Sequence, residues 1–190
     1  MNPFDYVMTL MSFVYALAIA HVLATSGDII AASSRVRFSW LNAAWMLFAF
    51  LAVIVWWMMM WGLRDSQWSM GPLAIFFAMS SALYLEIRLV CMRVPMEGPV
   101  DMASFHREEG WKYMAGFAVL TGFTDLINVF YWGHGIAAAV HNPIILLVGI
   151  QCAVAILGAF VADRRVQVAV TVIVGLLWAW FLVFLQRLFA

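Results

Sequence analysis

The chain has 190 residues, of which 66% are hydrophobic and 11% charged, with a formal net charge of zero. Soluble domains are about 45–50% apolar and about 25% charged, so a water-soluble fold of this size could not hide so much apolar surface. The balanced charge and short connections also make nucleic acid an unexpected partner.

The apolar residues gather into blocks of about 20, the length a helix needs to cross a hydrocarbon layer of about 30 Å. Six such spans are expected, at 6–27, 40–61, 72–94, 113–132, 143–162 and 166–186. The expected fold is therefore all-α, a polytopic transmembrane bundle of six helices forming a single domain over residues 1–190. The first span follows "MNPFD", which holds Asp5 and no basic residue, so it reads as a retained helix and not as a cleavable signal. Before the fifth, Asn142-Pro143 writes a helix start, with a cap residue followed by proline at the first helical position. The fifth and sixth are joined only by "DRR", which makes them antiparallel neighbours.

Basic residues set the expected orientation. Arg35, Arg37, Arg93, Arg107, Lys112, Arg164 and Arg165 fall on one side, against Arg64 and Arg187 on the other. The first group marks the cytoplasmic face and leaves both termini outside. Trp40 and Trp111 then mark the cytoplasmic boundary, and Trp57, Trp61, Trp68 and Trp132 the outer one. The longest connection, residues 95–110, reads as a solvated linker whose second half forms a short interfacial helix capped at Asp101. Six spans also allow two inverted halves of three, to which "YLEIRL" and "FLQRL" lend thin internal similarity.

Ionisable groups inside a span cost about 2.5–3.5 kcal/mol at a helix centre, so those retained there are the candidate functional residues. Glu86 and Arg88 lie about 200° apart around their helix and cannot pair with each other. Glu86 needs a partner from another helix, whereas Arg88 has Tyr84 one turn away and can snorkel to headgroups. Thr121, Asp125 and Asn128 form one stripe on the fourth span, His21, Thr25 and Asp28 repeat the spacing on the first, and Gln151 lies mid-way along the fifth. Measured from the cytoplasmic ends, Arg88, His21 and Glu86 come out at roughly 9–12 Å depth, Thr121 and Gln151 at roughly 12–17 Å, Asp125 at roughly 18 Å and Asn128 at roughly 23 Å. Convergent faces would make a polar relay across most of the bilayer. The same groups could instead fix helix register by hydrogen bonding.

Cys91 and Cys152 fall within spans and suggest neither a disulfide framework nor a zinc site. The histidines are too scattered in depth for a haem with two axial imidazoles, and His134 with His141 is a weak metal signal. No cofactor or metal is expected, and no catalytic constellation is evident.

The run "YVMTLMSFVYALAIAHVL", the Arg35-Val36-Arg37 turn, Trp40, the Trp56-Trp57 pair and "WGLRD" resemble a group of uncharacterised bacterial six-helix inner-membrane proteins of about this length. The resemblance implies a bacterial inner (cytoplasmic) membrane and a role for His21. It carries no activity.

Two functional expectations follow. One is a small transporter or channel for protons or another small solute, with Asp125 and Glu86 as acceptors, His21 and Arg88 beside them, and Asn128, Thr121 and Gln151 as lining. The other is an accessory or assembly subunit of a larger membrane complex, with Glu86 and Arg88 satisfied across an interface. A membrane enzyme using His21 or His106 ranks below both. The expected partners are the lipid bilayer and either a second copy of the chain or a membrane-complex subunit.

Overall fold

The computed structural model describes residues 3–64, 68–131 and 141–189. Among these residues six α-helices run in chain order: α1 (Pro3–Ala31), α2 (Trp40–Met60), α3 (Met70–Val90), α4 (Met102–Leu126), α5 (Pro143–Phe160) and α6 (Arg164–Phe189). All but α4 are long and apolar enough to cross a membrane, consistent with an integral membrane protein. The helix α4 carries Glu108, Glu109, Lys112 and Asp125 and does not reach that apolarity. The all-α class is as expected. The end of the expected fourth span, Trp132, lies outside the described residues.

Two compact units divide the chain, Met1–His106 and Arg107–Ala190. In the first, α1, α2 and α3 each pack against the other two. The contacts fix the directions. Tyr15 meets Ser80, His21 meets Arg88 and Thr25 meets Cys91, so residue numbers rise together and α1 runs parallel to α3. The side chain of Asn42, at the start of α2, donates to the carbonyl of Val90 at the end of α3 (3.1 Å), so α2 runs the opposite way.

The structure corrects two expectations in this unit. The third span was expected to continue to residue 94, but α3 stops at Val90, and Cys91 turns to extended backbone. Asn42 satisfies a terminal carbonyl there, and Pro95 disfavours helical backbone in the residue before it. Residues 95–101 are also no free linker. Val36–Arg37 (β1) pairs in parallel with Val100–Asp101 (β2), with Val36 opposite Val100 and Arg37 opposite Asp101. Arg35 donates to the carbonyls of Gly98 (2.6 Å) and Pro95 (2.7 Å), and Arg37 bridges to Asp101 at 3.1 Å. Gly98 turns the chain with φ of 87°, a left-handed conformation that suits glycine. Val100 and Met102 are driven into the core below this clasp.

At the opposite end of the unit, Phe4, Trp61, Trp68 and Phe76 form a chain of ring contacts with centroids 5.5–6.2 Å apart, and Trp57 joins Trp61. Clustered indoles at one end of apolar helices suit a membrane–water boundary. Trp45 is different: it is fully buried in the core.

The expected interfacial helix and the expected fourth span merge into one helix, α4, which begins in the first unit. Asp101 accepts from the amides of Ala103 and Ser104 (2.9 Å each), the expected cap, and α4 then runs unbroken to Leu126 before a π-helical turn, Ile127–Tyr131. α4 and α5 are antiparallel, since Gly158 meets Met114, Cys152 meets Ala118 and Gly122, and Gly149 meets Asp125. The expected start of α5 is found: Asn142 Oδ1 accepts from the amide of Ile144. Asp163 caps α6, and Gln167 donates to the carbonyls of Gly158 and Val161, closing the α5–α6 hairpin.

Candidate functional site

Each unit contains its own group of polar residues set among apolar helices. In the first, the buried stripe of α3 reads Phe76, Met79, Ser80, Leu83, Glu86, Ile87 and Val90. Glu86 is therefore carried inward by the same helical spacing that buries its apolar neighbours, with 2% of its surface exposed. Neither of its carboxyl oxygens meets a hydrogen-bond partner among the described residues. Buried side-chain polar atoms nearly always have one.

Arg88 points the other way and is exposed, so the two do not pair, as their spacing required. Arg88 Nη1 instead stands 3.3 Å from His21 Nδ1 and 3.1 Å from Nε2. Because α3 ends at Val90, Arg88 lies only about 3 Å inside the helix end, much shallower than the sequence-based depth. The expected stripe on α1 also divides: Thr25 is buried, His21 half-buried and Asp28 exposed.

Three further polar groups belong to this unit and were not singled out from sequence. Asn42 is wholly buried and leaves its Oδ1 without a hydrogen-bond partner among the described residues, while Ser80 donates to Tyr15 Oη at 3.0 Å and lies 3.1 Å from Met11 Sδ. Cys91 shares a hydrogen bond with Thr25. Lone Asn, Ser and Tyr residues in apolar runs are common as packing residues, so their spacing gave no signal.

In the second unit, α4 turns much of its polarity back on itself. Thr121 donates to the carbonyls of Phe117 (2.8 Å) and Ala118 (3.2 Å), Thr124 to that of Leu120, and the Asn128 side chain to that of Thr124. Thr121 and Asn128 are thus committed to their own helix more than to a lining. Asp125 differs. Its Oδ1 is buried without a hydrogen-bond partner among the described residues, and its Oδ2 lies where a Cβ on Gly149 would be only 3.1 Å away. The missing side chain of Gly149 is what allows the carboxylate to press against α5. Gln151, buried on α5, likewise leaves Nε2 without a partner. The π-helical turn follows Asp125 directly, and such turns recur at functional sites.

Outside the apolar spans, the clasp has its own electrostatics. The amide of Ser104, helped by Arg37, holds the Asp101 carboxyl below the ordinary aspartate range. Burial pushes the His106 ring down to about 4. His134, half of the weak metal pair, lies outside the described residues, and no group of three potential metal ligands occurs among those that are described.

Among the described residues, two buried carboxylates, one per unit, thus have oxygens without a hydrogen-bond partner. No protein-family model, curated protein or solved structure matches it.

Proposed function

We propose that this chain is a multi-pass protein of the bacterial inner membrane that moves protons or another small cation, with Glu86 and Asp125 as the acceptor groups. In this reading loops 1–2, 3–4 and 5–6 face the cytoplasm and both termini face outward. The observation that carries it is Glu86: a side chain buried to 2% exposure whose two oxygens find no hydrogen-bond partner among the described residues. A carboxyl kept to fix helix register would be hydrogen-bonded across the helix contact. One without partners makes no register-fixing hydrogen bond and is suited to taking up a proton or cation in transit. The Asp125 oxygen supports the same role in the second unit.

The test is flux. Proteoliposomes holding the wild-type chain and a pH-sensitive dye should dissipate an imposed proton gradient faster than those holding Glu86→Gln or Asp125→Asn. Equal leak in all three, with each variant inserted to the same level, would refute the reading. The same outcome would favour the accessory-subunit role, which stable co-purification of a second membrane chain would then support.

A further inference from the structure

A second feature of the first unit is independent of proton movement. Arg88 Nη1 lies within 3.3 Å of both ring nitrogens of His21. A nitrogen so close to both cannot sit in the plane of the ring, where the carbon between them would obstruct it, so the guanidinium stands over the ring face. That keeps Nη1 out of the in-plane directions of both imidazole nitrogens. Arg88 is exposed. Arg88 takes no part in the ion pairs of Arg37 with Asp101 and of Lys112 with Glu109.

The surroundings define what this cation can meet. Asn42, near the start of α2, binds the carbonyl of Val90 at the end of α3, so the helix ends at this level mark one boundary of the apolar bundle. Arg88 lies about 3 Å inside that boundary. One turn deeper on the two helices that carry the pair, Leu17 and Leu85 are both more than half exposed, at 62% and 60%. A cationic fork at the boundary with open leucines directly below it matches a headgroup phosphate above acyl chains.

We propose that Arg88 and His21 form a phosphate site for an anionic phospholipid, whose acyl chains run along Leu17 and Leu85. The planar guanidinium takes two phosphate oxygens at once, which an ammonium cannot do. The imidazole adds a second donor and holds the fork in place by stacking.

The experiment uses the full chain in detergent micelles after delipidation, titrated with phosphatidylglycerol, phosphatidylcholine or inorganic phosphate and read by native mass spectrometry and thermal shift. Phosphatidylglycerol should bind and raise the melting temperature, with phosphatidylcholine weaker because its ammonium offsets the phosphate. Arg88→Gln should weaken phosphatidylglycerol binding about tenfold, the loss of one charge-assisted contact of about 1.4 kcal/mol. Arg88→Lys, which keeps the charge and removes the fork, should weaken it less, and so should His21→Gln. Arg93→Gln, an exposed cation close by, should leave binding unchanged. Wild-type affinity in both Arg88 variants overturns the proposal, as does an equal loss in Arg93→Gln, which would mean diffuse attraction. Protection by inorganic phosphate at equal strength overturns the lipid as occupant in favour of a soluble phosphate.

Discussion

Replacing Glu86 by methionine should stabilise the protein while removing its activity. Glu86 shares its helical line with Met79, Leu83 and Val90, all buried, and its two carboxyl oxygens meet no hydrogen-bond partner among the described residues. Leaving a buried polar group unsatisfied costs about 1–3 kcal/mol. Methionine is close in length and flexible enough to occupy the same space, so Glu86→Met should recover about 1–3 kcal/mol of that cost. Glu86→Gln keeps a polar group in the same place and should recover little. Unfolding in mixed micelles, titrated with a denaturing detergent, compares the three proteins, and the proton-flux assay is run on the same preparations. Loss of flux in both variants with a gain of stability in Glu86→Met alone is the expected pattern. Destabilisation of Glu86→Met by about 1 kcal/mol or more would mean that the carboxyl makes a structural bond, and the transport argument built on its lack of partners would fall.

Four further outcomes are expected. Gly158→Ala would bring a Cβ to 2.8 Å from Met114 Sδ and 2.9 Å from Val170 Cγ1, and should destabilise by about 1–3 kcal/mol in the same unfolding assay. Arg35→Ala removes both bonds to the Pro95 and Gly98 carbonyls and should raise hydrogen exchange at residues 95–101, whereas Arg37→Ala, whose ion pair is largely exposed, should change it little. His106 titrates near 6.5 when unfolded but about 4 when folded, so the unfolded state binds the extra proton between those values. Its contribution is therefore complete above about pH 6.5 and is lost as the pH falls toward 4, by about 2 kcal/mol once screening at the ring's solvent-facing edge is allowed for; His106→Gln should flatten that part of the stability–pH curve. Gly149→Ala must displace the Asp125 carboxylate by a few tenths of an ångström or move α5, and should lower flux with little change in stability, unlike Gly158→Ala.

Much of the helix layout was legible because lipid-compatible helices announce themselves by length and apolarity. The start of α5 was legible to the residue, since an Asn-Pro pair supplies both a cap acceptor and a preset backbone angle. The Asp101 cap was legible for a similar reason. The end of α3 was not. The apolar run continues through Cys91, Met92 and Val94, and what halts the helix at Val90 includes a side chain from 48 residues earlier. The depth of Arg88 changed with it. The clasp was equally hidden, because Arg35 and Arg37 read as topology signals, whereas their bonds run to residues 60 or more positions away. On α4, spacing alone placed Thr121, Asp125 and Asn128 together, but it could not show that two of the three spend their donors on their own helix.

By itself, the sequence determined the class of protein and which ionisable groups are anomalous, because both depend on local quantities: hydropathy, helix length and the angle between residues on one helix. It also settled that Glu86 and Arg88 cannot serve each other. Tertiary structure decided where each of them goes. Packing of α3 against α1 and α2 buries Glu86 without a hydrogen-bond partner among the described residues and leaves Arg88 outside, against the His21 ring. Such outcomes depend on the rotation of one helix relative to its neighbours, and a hydrophobic pattern that is nearly uniform around each helix carries little information about that rotation.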